Sequence, residues 1–152
     1  MYLPIYLTLL SDSEQALADS YRRVAEEHPH EPEVVYPCQR FAGQTSRHVE
    51  ALAPIIAAYA DRWPSGSPRA SAPEPVTVNP GPLGLLRDLQ STHQLASWLE
   101  VTWQLVGQAA AGARDRELID VVAASRPDVT RQLSWLGMRM KVAAPQTLLV
   151  TS

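Results

Sequence analysis

Apolar residues recur at helical spacing along four stretches of this chain. Counting in steps of three and four gives Leu7, Leu10, Glu14, Leu17, Tyr21, Val24 and His28 in the first, and Val34, Cys38, Phe41, Thr45, His48, Leu52, Ile55 and Tyr59 in the second. Residues so spaced share one face of a helix, the face that buries. The third stretch carries two adjoining stripes. Leu85, Leu89, Thr92, Ala96, Leu99, Trp103, Val106 and Ala110 form one, and Leu86, Leu89, His93, Ala96, Glu100, Trp103, Gly107 and Ala110 the other. Together they make a broad face with His93 and Glu100 at its margin. The fourth stretch reads Leu118, Val122, Ser125, Val129, Leu133, Leu136 and Met140. Four helices are predicted, over Ser11 to His28, Pro32 to Trp63, Leu83 to Gly112 and Asp115 to Ala143. Ser11-Asp12-Ser13-Glu14 has the form of a capping box, in which Glu14 reaches back to the first turn.

Helix breakers separate the same segments. Six of the 13 prolines fall between Pro64 and Pro82, a stretch through which no helix continues. The runs His28 to Pro32 and Ala110 to Asp115 mark two shorter breaks. Pro37, Pro54 and Pro127 lie inside the helical segments, predicting a helix that begins after Pro37, a bend near Pro54, and a kink or split at Pro127. The apolar tail from Pro145 is read as packing along a groove.

Short links after the first and third helices favour antiparallel neighbours. The strap between the second and third is long enough for another geometry: 19 extended residues reach about 60 Å, whereas a helix of about 25 residues is about 38 Å long. The prediction is a single all-α domain over residues 1–152, a four-helix bundle of two antiparallel hairpins joined by a Pro-rich crossover at 64–82. An up-and-down bundle satisfies the same lengths.

Composition narrows the function classes. Thirteen basic residues against 16 acidic give a net charge of −3, which offers nucleic acid no basic surface. Cys38 stands alone, so a disulfide scaffold is excluded and a reducing cytoplasmic setting expected. Met1 to Leu10 is apolar but too short to span a bilayer and lacks a basic leader region, so it is read as core or docking surface, with no membrane role.

The runs SEQALADSYRRVAEEH and QTSRHVEALAPII resemble the first half of ferritin-like bundles of the YciE/YciF type. The resemblance implies a dinuclear metal centre built from a Glu on helix one, Glu-x-x-His on helix two, a Glu on helix three and a second Glu-x-x-His on helix four. Glu14 matches the first ligand, His48 the first histidine and Glu100 the ligand of helix three. Thr45 stands where the second acid belongs, and helix four has no histidine, its nearest polar residues being Asp120, Asp128 and Gln132. A hydroxyl does not bridge two metal ions as a carboxylate does, so this incomplete set argues against a dinuclear site. A single Fe, Mn or Zn ion held by Glu14, His48 and either His93 or Glu100 is one remaining reading. The favoured expectation is no cofactor: Glu14 completes the cap and His48 hydrogen-bonds Thr45, Glu14 or a carbonyl. If Glu14 and His48 meet in a dry core, the pair should be charged and hydrogen-bonded, because either alone is costly to bury.

The remaining candidates have plainer readings. Glu26 to Glu31, with His28 and His30, is taken as a solvated turn, and Cys38 as a buried apolar thiol, about 15 Å along the helix from His48. Trp98 and Trp103, five residues apart, point to different faces, so one is assigned to a surface or interface; Trp135 is expected to meet Trp98. The function expected is a non-catalytic binding or assembly module that forms a homo-oligomer or takes a protein partner. The alternatives are a metal-binding oxidase or hydrolase using Glu14, His48, His93 and Glu100, and a small-molecule binder with a cavity between the helices.

Overall fold

In the computed structural model, which describes residues 1–150, helix α1 spans Leu3–Glu27, α2 Pro32–Tyr59, α3 Gly81–Ala113 and α4 Arg116–Leu149. A short 3-10 turn, Ala60–Arg62, extends α2. The stripes read from the sequence are the buried faces. Every member of the first two is buried, as is every member of the first α3 stripe, while Leu86, His93, Glu100 and Gly107 of the second are half-buried. On α4, Leu133 and Met140 are partly covered and the rest of the stripe is buried.

Helix ends differ from the expected ones for identifiable reasons. Helix α1 starts well before Ser11 because Pro4 lies in its first turn, where a backbone N–H has no helical partner to lose. The same holds for Pro32, so α2 does not wait for Pro37 to pass. Pro37 and Pro54 lie within α2, and Pro127 and Pro145 within α4, without splitting either helix. Residues Glu33, Glu50, Ala123 and Lys141, four positions before these prolines, are all exposed, so the carbonyls released by the missing N–H groups meet water. The tail after Pro145 does not lie in a groove; it prolongs α4, with Leu148 and Leu149 exposed.

Between α3 and α4 the chain reverses through Arg114, which adopts a left-handed conformation at φ 54°. Its N–H donates to the Ala111 carbonyl and that of Asp115 to the Ala110 carbonyl, each at 3.1 Å, the two bonds of a Schellman cap. Asp115 then caps α4, its side chain accepting from the Leu118 N–H.

Helix α1 packs on α2 and α3, and α4 packs on α3 and α2. The strap runs back along α1. Arg69 donates to Asp12 (3.0 and 2.7 Å), the Val76 N–H to Ser20 Oγ (2.9 Å) and Arg23 to the Val76 carbonyl (3.3 Å). At the far end Asp88 Oδ1 accepts from the Asn79 N–H and side-chain amide, both 3.0 Å, while its Oδ2 meets His28 Nε2 at 2.7 Å. These anchors pass from the middle of α1 to its end, so α3 begins beside the start of α2 and runs parallel to it. The bundle is two antiparallel hairpins joined by a crossover. The crossover closes tightly on α3: a methyl group on Gly84 would overlap the Asn79 carbonyl.

The anchors are unequal. Ser20→Ala leaves the buried Val76 N–H without an acceptor and should cost about 1–3 kcal/mol, whereas Arg69→Ala removes an exposed ion pair and should cost under about 1 kcal/mol. Urea denaturation of the two variants checks this order.

Candidate functional site

One polar side chain from each helix comes to the same level of the core, three of them from the inward stripes and Asp128 from the edge of the α4 stripe. Glu14, with no exposed surface, points inward from α1. Its Oε1 accepts from Trp103 Nε1 on α3 at 2.6 Å, and its Oε2 lies 3.1 Å from His48 Nδ1 on α2. The other ring nitrogen, His48 Nε2, is 2.8 Å from Asp128 Oδ2 on α4. Asp128 Oδ1 in turn accepts from Arg131 at 2.6 Å, near the surface. The rings of His48 and Trp103 meet edge to face with centroids 5.9 Å apart. A neighbouring set completes the layer. Tyr21 donates to Gln132 Oε1 at 3.1 Å, and Gln132 Nε2 donates to Gln44 Oε1 and Thr45 Oγ1 at 3.2 and 3.4 Å. Among the described residues no buried side-chain polar atom lacks a partner.

This geometry dictates the charge of His48. A neutral imidazole donates from one nitrogen only, and here both face carboxylate oxygens, so the doubly protonated ring satisfies both bonds. Burial opposes the positive charge, but the bonds to Glu14 and then Asp128 outweigh it and raise the His48 pKa. Burial likewise works against the charge of Asp128, yet the bonds from His48 and Arg131 hold its carboxyl below the usual range. Formal charges on Glu14, His48, Asp128 and Arg131 sum to zero. Elsewhere in the core, burial pushes the Cys38 thiol up to about 12, which keeps it a protonated, unreactive apolar group. Burial, the Cys38 thiol and Glu14 raise the Tyr21 phenol.

Of the three partners offered for His48, the structure shows Glu14, while several neighbours differ from the expected ones. Glu14 does not complete a cap: with α1 beginning at Leu3, position 14 lies deep in the helix, where the backbone N–H groups are already bonded. His93 is half-buried and pairs with Ser97 Oγ at 3.3 Å, and Glu100 is half-buried on the same margin. Neither is hydrogen-bonded to Glu14 or His48, because Trp103 holds the inward position on α3. Asp128 and Trp103 take the places that the sequence reading gave to His93 and Glu100. The helical spacing of Ser125, Asp128 and Gln132, beside the α4 stripe, was the available signal for Asp128. His28 is not solvated; it is buried against Asp88. Trp98 is 40% exposed and Trp103 fully buried, and Trp135 meets Phe41, at 5.4 Å between centroids, in place of Trp98.

A metal ion fits this arrangement poorly. Both nitrogens of His48 are engaged with carboxylate oxygens, and the doubly protonated ring has no free lone pair to offer a metal. Among the described residues no group of three or more His, Cys, Asp or Glu side chains is disposed to hold a metal ion. No protein-family model, curated protein or solved structure matches the chain.

Removing His48 alone should be severe, because the buried Glu14 carboxyl loses its partner on α2 and Asp128 loses its own. His48→Leu should cost about 3–5 kcal/mol at neutral pH. Adding Glu14→Gln, which keeps an acceptor for Trp103 and removes the buried charge, should recover at least about 1 kcal/mol of that loss. A urea double-mutant cycle measures both.

The pKa directions fix the pH dependence. The raised pKa of His48 contributes stability that is complete below the unfolded value of about 6.5 and is lost as pH rises through the folded value. The lowered pKa of Asp128 contributes stability present above about 3.9 and lost as pH falls through its folded value. Thermal melts from pH 3 to 9 should show the wild type declining on the alkaline side, with that decline absent in His48→Asn.

Proposed function

We propose that the chain is a non-catalytic binding or assembly module: a ferritin-like bundle whose dinuclear centre has been replaced by a metal-free hydrogen-bond network. The double engagement of His48, at 3.1 Å to Glu14 and 2.8 Å to Asp128, carries this reading. The order of hairpin, crossover and hairpin supports the ferritin-like part of it, as does the meeting of inward polar residues from all four helices at one level. Arranged this way, the centre holds the helices in register and leaves no open coordination position for oxidase or hydrolase chemistry.

The assembly half rests on the outer side of α1 and α3. Tyr2, Tyr6 and Leu105 are exposed and line an apolar hollow of about 310 Å³, and Trp98 and Val101 lie exposed further along α3. Glu100 is the only charged residue from Leu95 to Ala113. Aromatic and aliphatic side chains without interleaved charge suit the core of a protein interface, and we assign this face to a second copy of the chain. No helix among the described residues is long and apolar enough to cross a membrane.

Elemental analysis and light scattering on the same purified sample test the two halves. Less than one-tenth equivalent of iron, manganese and zinc is expected; a full equivalent of any of them would overturn the metal-free reading. Scattering should report a multiple of the 16.7 kDa chain mass, and a monomer at all concentrations would sink the assembly assignment.

A further inference from the structure

We infer that the groove between α3 and α4 is a binding site for a small amphipathic carboxylate, a molecule with one anionic end and an apolar body. This inference rests on the binding-module reading and names a ligand class for it. The groove is an open depression of about 630 Å³, lined on one side by Gly107 and Ala111, and on the other by Ile119, Val122, Arg126 and Arg131 among others. Its origin lies in the sequence. Gly107 lacks a side chain where α3 faces α4, and a Cβ there would come within 3.1 Å of Val122 Cγ1. Val122 therefore packs directly against the α3 backbone at that point, and Gly107 and Val122 together form part of the apolar floor of the groove.

Charge decides what the other end of the ligand must be. Arg131 already closes the neutral set formed with Asp128, His48 and Glu14. Arg126, exposed on the same rim, has no carboxylate within ion-pair distance among the described residues. Glu100 lies on the Gly107 side of α3 but about 10 Å away along the helix, and it pairs with neither arginine. The groove thus carries one uncompensated positive charge in a chain of net charge −3. A guanidinium matches a carboxylate in both charge and fork geometry. A single anionic head against Arg126, with hydrocarbon on Ile119 and Val122, uses both features of the groove.

The probes are octanoate and octan-1-ol, which share a chain and differ in the head group. Titrated into the isotopically labelled protein, octanoate should shift the amide resonances of Gly107, Val122 and Thr130 saturably, and octan-1-ol should bind at least tenfold more weakly. Arg126 is exposed, so Arg126→Gln is expected to fold, which its circular dichroism checks; it should weaken octanoate at least fivefold. Added salt should weaken octanoate and leave the alcohol unchanged. Equal binding of acid and alcohol, shifts centred on Tyr2 and Leu105 instead, or no saturable shift would each overturn the inference. Such a failure would leave the metal-free core intact, whereas a full equivalent of bound metal would overturn that core reading and leave the groove untouched.

Discussion

A buried carboxylate is the constraint around which this bundle is organised. Glu14 is fully enclosed, and an isolated charge in such a place would cost several kcal/mol. It is tolerable only because α2 supplies His48 and α3 supplies Trp103 at hydrogen-bond distance. His48 requires a second anion in turn, and α4 supplies Asp128. Satisfying one side chain on α1 therefore recruits all three other helices. Apolar stripes alone tolerate sliding of one helix past another, since a Leu packs nearly as well one turn away. A directed network of four side chains does not, which ties the register of the helices to its completion.

The same logic operates at the end of the bundle, with different partners. Asp88 ties α3 to the end of the crossover through Asn79 and to the end of α1 through His28. One network sets the heights of the helices; the other decides that the second hairpin enters parallel to α2. Around both, Leu, Val and Ala side chains supply most of the burial without specifying a partner. The polar positions choose among arrangements that the apolar ones would permit.

Much of the architecture was legible in the sequence because helical period and proline placement are local signals. The stripes of α1 and α2 and the first stripe of α3 matched the buried faces residue by residue, and the length of the strap was enough to suggest the crossover. The readings that failed each depended on where another part of the chain would lie. Glu14 looked like a cap partner because Ser11 preceded it, yet the apolar run before Ser11 carried the helix further back. His93 and Glu100 shared the right side of α3, but an indole one turn beyond Glu100 reached the carboxylate first. His28 sat in a run of prolines and charges that reads as a turn exposed to water, and its burial depends on Asp88, sixty residues later. Prolines inside α2 and α4 were taken as interruptions, when the exposure of the residues four positions before them made the lost bonds inexpensive.

The crossover itself shows how an irregular segment can be held by few contacts. Between Trp63 and Pro80 it forms no regular secondary structure, and its ordering rests on a handful of hydrogen bonds to α1 and α3. Its prolines change the unfolded state more than the folded one. Each fixes a backbone angle that would otherwise be free in the denatured chain, a saving of about 0.4–1 kcal/mol at a compatible position. With proline repeated along the strap, the extended conformation is already common before folding begins. The second hairpin is thus carried on a stiff tether, and the disorder to be overcome in docking it is smaller than the length of the connection suggests.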